Sequence, residues 1–108
     1  MKPIPLCLLP DTIRVQKALE ADYRGEFGKA KTVRNVRFES AENLVNNSYI
    51  FSDGSNGLIY IDAVNSEGAF AIPVGSKVTL KGQTCFVVKC VPVEGVFGRV
   101  HHYEVEVR

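Results

Sequence analysis

Apolar and polar residues alternate with a period of two along much of this chain, most cleanly at its C-terminal end. From Val100 to Arg108 the residues His101, Tyr103, Val105 and Val107 would lie on one face of a strand, and His102, Glu104, Glu106 and Arg108 on the other. This pattern predicts a strand with one buried and one hydrated face. The segment is therefore expected to belong to a sheet, with His101 in the core face beside Tyr103 and His102 on the surface.

Similar patterns, separated by turn residues, predict about seven short strands. The clearest cover residues 12–19, 32–39, 58–64, 77–80, 84–91 and 100–108. A short apolar stretch at 49–51 is expected to form a hairpin with residues 58–64 around the turn at 53–57. Helical propensity at residues 16–21 leaves a helix as the alternative to the first strand. The fold class expected is all-β, a small antiparallel barrel or sandwich.

The segments between these strands have recognisable turn chemistry. Pro3, Pro5 and Pro10 predict an extended arm over residues 1–10 and no signal peptide there. Residues 23–29 are expected to be a loop, residues 40–57 an irregular insertion, and Gly82-Gln83 a two-residue turn. Val36 and Phe38 are expected to point inward, whereas residues 84–91 are apolar on both faces and are expected to be covered on both.

Length and composition place the chain among ordinary globular domains. It has 108 residues, of which 45% are hydrophobic and 23% charged, and its formal net charge is +1. One β-barrel domain over residues 1–108 is the expected organisation. No apolar run approaches the length of a membrane span, so we expect synthesis in the cytoplasm and no membrane partner.

The distribution of charge is more informative than the total. Residues 1–40 have a net charge of +3, residues 41–76 of −4, and residues 77–108 of +2. The middle segment has no Lys or Arg at all. Chance and a functional acidic surface remain equally open explanations at this point.

Reactive or metal-binding groups are not evident in the sequence. Cys7, Cys85 and Cys90 are odd in number, and Cys85 and Cys90 are expected on opposite faces of one strand as inert thiols. His101 and His102 are adjacent, so their rings are expected to point apart and not to share a metal ion. We therefore expect no enzyme activity, no cofactor and no metal.

Basic residues around the second strand leave one alternative open. Lys29, Lys31, Arg34 and Arg37 cluster there. A small β-barrel with a basic groove and exposed aromatic rings binds single-stranded nucleic acid. A binding module for single-stranded nucleic acid or a peptide is therefore the second interpretation.

Four groups of short segments follow one another along the chain: IP at 4–5 with LLPDT at 8–12, DYRG at 22–25 with TVRNVRFE at 32–39, GSKV at 75–78 with GQT at 82–84, and VVKCVPV at 87–93 with HHYEV at 101–105. In this order they resemble a family of phage minor capsid proteins. The family is the head-completion or head–tail connector type found in prophages of Gram-positive bacteria. The His-His-aromatic-Glu run is its most specific part.

The resemblance implies a structural role in the virion. Such a protein would be made in the host cytoplasm and would form a ring of copies below the portal or adaptor, closing or extending the DNA channel and contacting tail proteins. The acidic residues of the middle segment would then face the passing DNA without binding it: Glu42, Asp53, Asp62 and Glu67. Arg34 or Arg37 would contact a neighbouring subunit, for example at its Glu67.

Overall fold

The computed structural model describes residues 2–18, 27–40 and 55–108. Six strands lie in these ranges: β1 Asp11–Ala18, β2 Phe27–Ser40, β3 Gly57–Asp62, β4 Lys77–Leu80, β5 Gln83–Glu94 and β6 Val100–Val107. Short 3-10 turns occupy Leu6–Leu8 and Val96–Gly98. The expected all-β barrel is confirmed, with six strands in the described ranges and residues 12–18 forming a strand, not a helix.

The strands form one closed antiparallel barrel. Their order around it is β1-β2-β3-β6-β5-β4, and β4 pairs back onto β1 through contacts such as Gln16 opposite Lys77. Closure leaves no strand of the described barrel with an open edge along its whole length, and open edges are the usual route to nonspecific strand pairing. Side chains and the segments between strands are therefore the main surfaces that the barrel offers to partners.

Branched aliphatic side chains fill the interior, because alternate positions of every strand point inward and β-branched residues suit a pleated surface. The fully buried residues of the core include Ile13, Val15, Val33, Val36, Ile59, Ile61, Val78 and Val105. Phe38 packs against this cluster, as expected from the sequence. The strand predicted at residues 77–80 coincides with β4.

A bulge at Asn35 changes the face that β2 presents. Asn35 has φ = 59°, and the pairing with β1 skips from Arg34 opposite Thr12 to Val36 opposite Asp11. The extra residue lets Val33 and Val36 both point inward. Arg34 and Arg37, three positions apart, consequently both lie on the outer surface, which strict alternation would not allow.

A second irregularity corrects the prediction for β5. Its register with β6 passes from Val87 opposite Val107 to Lys89 opposite Glu106, which leaves Val88 as an extra residue. Cys85 and Cys90 therefore both pack against the core and do not lie on opposite faces. The expectation that β5 is covered on both faces is also wrong, since Phe86 is 43% exposed.

Two predictions about turns and strand ends are wrong. The β4–β5 turn is Lys81-Gly82, both with positive φ (49° and 78°), between the paired Leu80 and Gln83. This is the twist that a type I′ hairpin requires, with glycine second. β2 already begins at Phe27, so the loop predicted for residues 23–29 is wrong at its end. β2 and β6 pair with the two edges of β3, and the predicted hairpin partner at 49–51 lies outside the described residues.

The outer face of β6 is less hydrated than its alternation suggests. Glu106 is fully buried and accepts a hydrogen bond of 2.6 Å from the Ser55 hydroxyl. The side chains of His102 and Glu104 are only 14% and 25% exposed. Leu58, which lies opposite Glu106 on β3, is fully buried as well. The predicted hydrated face is therefore wrong over much of its length.

Candidate assembly surfaces

The N-terminal arm, residues 2–10, lies along the barrel and is held by hydrogen bonds between its backbone and side chains of the barrel. The Ile4 N–H donates to Asp62 Oδ1 at 2.9 Å, and the Asn65 side-chain amide donates to the Ile4 carbonyl at 2.8 Å. Leu9 is buried at 2% exposure, whereas Leu6 and Leu8 are 57% and 48% exposed. The arm is thus fixed at its Ile4 and Leu9 while it presents apolar side chains outward.

Asp62 organises the turn that receives the arm. It ends β3, and its Oδ2 accepts hydrogen bonds from the N–H groups of Val64 (3.0 Å) and Asn65 (2.7 Å). Burial raises the pKa of Asp62, but the N–H groups of Asn65, Ile4 and Val64 and the nearby His101 lower it, so the net pKa lies below the usual value. The carboxylate is therefore a charged anchor inside the subunit.

Two adjacent imidazoles extend this arm contact. His101 Nε2 lies 2.6 Å from the Lys2 carbonyl, His101 Nδ1 lies 2.8 Å from His102 Nδ1, and His102 Nε2 lies 3.2 Å from a Glu104 carboxylate oxygen. The expectation that the two rings point apart is therefore wrong. The Lys2 carbonyl and the Glu104 carboxylate accept hydrogen bonds, so the Nε2 atom of each ring must donate. A hydrogen bond between the two Nδ1 atoms needs a third proton, whereas two neutral imidazoles carry only two.

The predicted subunit-contact residues have partners within their own subunit. Arg34 and Glu67 face each other in an isolated backbone bridge, with N–H to carbonyl distances of 3.1 and 3.0 Å. Arg37 pairs through its side chain with Glu39 at 2.6 Å and approaches the Leu8 carbonyl. Arg34 remains exposed, so its side chain is the one available to a neighbour.

The four acidic residues of the middle segment are placed unequally. Glu42 and Asp53 lie outside the described residues. Asp62 is fully buried, so the expectation that it faces a channel is corrected: its charge is used by the arm and the turn. Glu67 is exposed. The structure brings Asp62 and Glu67 onto the same turn but gives them different surroundings.

An apolar surface lies at the end of the barrel where β5 turns into β6. Phe97 is 94% exposed and Val96 is 55% exposed, and Val64 on the β3 turn is 72% exposed. Together with Pro3 and Val100 they line a groove of about 380 Å³. Exposed contiguous apolar surface of this kind marks contacts with other proteins. The signal in the sequence is the apolar pair in GVFG at 95–98, between two glycines that favour a turn.

A smaller pocket lies at the opposite end of the barrel. Its volume is about 140 Å³, and its described lining is mainly apolar, from Phe38, Leu80, Cys85 and Val107. The other lining residues, Asn56, Gln83, Thr84 and Arg108, are polar and exposed and form its rim. Gly57 is required beside it, because a Cβ there would stand 2.4 Å from the Phe38 ring.

Lysine side chains cover aromatic rings where β1 ends and β2 and β4 begin. The amino groups of Lys17 and Lys31 lie 4.9 and 5.3 Å from the centre of the Phe70 ring. Lys77 lies 5.3 Å from the Phe27 ring. These are cation–π distances. The cluster provides positive charge beside aromatic surface.

The two thiols of β5 show no activation. Burial raises the pKa of Cys85 and of Cys90, so both stay protonated near neutral pH. All three cysteines are free, and Cys7 is exposed. Among the residues that the structure describes, no group of His, Cys, Asp or Glu side chains has an arrangement that would hold a metal ion.

The chain matches the minor capsid protein family over residues 5–107, so it belongs to this family of virion proteins. It is therefore a structural component of a phage particle, a role that points away from enzymatic activity and implies contacts with other virion proteins. No curated protein and no solved structure matches it. In the described ranges, no helix has the length and apolar character needed to cross a membrane.

Proposed function

We propose that this protein is a head-completion or head–tail connector subunit that forms a ring below the portal and closes or extends the DNA channel. The observation that carries the proposal is the apolar groove shared by the arm, the β3 turn and the β5–β6 turn. In a minor capsid protein, exposed apolar side chains beside a closed barrel serve assembly, since the strand edges are already paired.

The proposed partners follow from this position. Copies of the same chain would surround the channel, the portal or adaptor would lie above them, and tail proteins below. The subunit would be made in the host cytoplasm and then join the virion. The fixed arm supports this arrangement, because Leu6 and Leu8 are held outward by an arm whose Ile4 is bound to Asp62.

A genetic experiment tests the proposal. Deleting the gene should give heads that package DNA but fail to retain it or to join tails. Wild-type protein supplied in trans should restore infectious particles, whereas Val64→Asp, in the groove, should not. Val74→Asp is the matched control, because Val74 is also exposed, at 63%, but lies outside the groove. Normal tailed particles after deletion would contradict the proposal.

The channel surface is proposed to include Glu42, Asp53 and Glu67. Acidic walls repel phosphates, so DNA passes without sticking. Replacing the three residues by Gln, Asn and Gln should slow DNA ejection from virions. Unchanged ejection by the triple variant would remove this part of the proposal.

Arg34 is proposed as a contact to a neighbouring subunit, with Arg37 as a weaker candidate because Glu39 already pairs with it. Arg34→Glu should impair ring assembly. A charge reversal at the neighbour's Glu67 should restore assembly if those two side chains meet. Failure of the double variant to restore it would exclude that pairing.

A second candidate function, binding of single-stranded nucleic acid, is favoured by the lysines around Phe70 and Phe27. It predicts salt-sensitive binding of short oligonucleotides that is lost in Lys17→Gln/Lys31→Gln. The connector proposal instead predicts no measurable affinity for free oligonucleotides at physiological salt. One titration at two salt concentrations distinguishes the two.

A further inference from the structure

We propose that Phe97 of one subunit inserts into the pocket at the opposite end of the barrel of a second copy. The inference rests on the proposed function and deepens it, because a ring of identical subunits needs a contact between two different surfaces of the same chain. It specifies those surfaces as the β5–β6 turn and the pocket beside Leu80 and Val107.

Phe97 has the properties of a contact residue. Its side chain is 94% exposed, and its backbone is in the left-handed region, with φ = 65° and ψ = 25°. That conformation is unfavourable for a residue with a Cβ, and large apolar side chains gain from leaving water. The turn is nevertheless fixed, since the Gly95 N–H donates to the Arg99 carbonyl at 2.7 Å. A strained and exposed ring on a fixed turn indicates a function.

The pocket can hold a phenyl ring, with apolar walls inside a polar rim. Its volume of about 140 Å³ is close to that of engineered apolar cavities, of roughly 150 Å³, that bind benzene. Phe38, Leu80, Cys85 and Val107 supply apolar walls. The groove at the other end of the barrel is much larger, at about 380 Å³, and Phe97 is itself one of the residues that line it.

The two surfaces lie at opposite ends of the same pair of strands. The Phe97 turn joins the end of β5 to the start of β6, whereas the pocket is built at the start of β5 and the end of β6. Such a contact repeats in one direction and is head-to-tail; it closes into a ring if the rotation between copies allows it. An open chain of copies always leaves one Phe97 turn and one pocket unoccupied at its ends, whereas a closed ring fills every pocket.

Charge supports the same pairing. Glu94, at the end of β5 beside the Phe97 turn, is exposed, and Arg108 is exposed at the pocket rim. Within the part of the chain that the structure describes, no ion pair joins either side chain to a partner in its own subunit. With Phe97 in the pocket, the Glu94 carboxylate of one copy would meet the Arg108 guanidinium of the next.

Two complementary variants test the contact in the full chain. Phe97→Ala removes the ring, and Thr84→Trp fills the pocket from its exposed rim; Gln83→Trp replaces Thr84→Trp if the latter does not fold. Val74→Ala is the control for loss of an exposed apolar side chain. Sedimentation velocity up to about 1 mM protein measures association, and circular dichroism confirms folding of each variant.

We expect wild type and Val74→Ala to associate with concentration, and each test variant alone to associate about 30-fold more weakly, the effect of losing a central aromatic contact. Mixing the two variants should restore association only as far as one-to-one pairs. The Thr84→Trp variant still has Phe97, and the Phe97→Ala variant still has an open pocket. Wild type that stays monomeric at 1 mM, variants that associate as wild type does, or a mixture that forms no pairs would overturn the inference. If the gene deletion still gives tailless heads, the proposed function stands without it.

Discussion

The Asp62 carboxylate accepts a hydrogen bond of 2.9 Å from the backbone N–H of Ile4, a residue 58 positions earlier in the chain. The same carboxylate holds the Val64 and Asn65 amides of its own turn. One buried charge therefore fixes the β3 turn and the N-terminal arm together. The position of the arm on the barrel, and with it the direction of Leu6 and Leu8, depends on this residue.

Asp62→Asn should release the arm. An amide has one accepting oxygen, so its nitrogen leaves either Ile4 or the turn amides without an acceptor. We expect a loss of about 1–3 kcal/mol in the free energy of unfolding, measured by urea denaturation. Hydrogen exchange of the Ile4 amide should accelerate, while that of Leu9, which donates to Leu6 within the arm, should change less. Glu67→Gln is the exposed control, and equal effects of both substitutions would contradict this role.

Acid should release the arm in the wild-type protein. The pKa of Asp62 is lowered in the folded state, so the folded protein binds this proton more weakly than the unfolded chain does. Its stabilising contribution is present above the unfolded value of about 3.9 and is lost as the pH falls through the lower folded value. The free energies of unfolding of wild type and Asp62→Asn should therefore converge below about pH 4. A difference that stays constant down to pH 2 would contradict the assignment.

Phe97→Gly should stabilise the isolated subunit. Glycine adopts φ = 65° without the steric cost that a Cβ incurs. Since Phe97 is almost fully exposed, little packing is lost. We expect the free energy of unfolding of Phe97→Gly to be about 1 kcal/mol higher than that of Phe97→Ala, because alanine keeps the Cβ. A glycine variant no more stable than the alanine variant would show that the turn carries no strain.

Gly57→Ala should be more costly than Gly82→Ala, although both add one methyl group. A Cβ at Gly57 would stand 2.4 Å from the Phe38 ring and 2.9 Å from the Glu39 carbonyl oxygen. We expect a loss of about 2–3 kcal/mol through overpacking. At Gly82 no atom lies within 4 Å, and only the positive φ of 78° opposes the change, at about 1 kcal/mol. Thermal unfolding of the two variants compares them directly, and equal losses would contradict the close packing at Phe38.

The strand pattern of the sequence predicted the barrel well where alternation is unbroken. The strand at residues 77–80 and the one beginning at Val100 follow from it directly. The error about the two cysteines of β5 arises where one extra residue, Val88, changes the face. Alternation cannot reveal a bulge, so it places Cys85 and Cys90 on opposite faces although both pack inward.

Contacts between residues distant in sequence are the other feature that the sequence pattern does not predict. Nothing local to Asp62 indicates that its carboxylate binds Ile4, and a solvent-facing position in β6 does not indicate that Glu106 is buried beside Leu58. The contact between His101 and His102 is also unexpected, because strand alternation predicts that their rings lie on opposite faces. Local periodicity assigns faces, but burial on the outside of a small barrel depends on segments distant in sequence.

The most direct measurement is electron cryomicroscopy of the phage particle that contains this chain. We expect a closed ring of copies between the portal and the tail, with the six-stranded barrel of each subunit recognisable and its Phe97 turn against the neighbouring subunit. Copies found only on the capsid shell, or a head–tail junction without this chain, would contradict it.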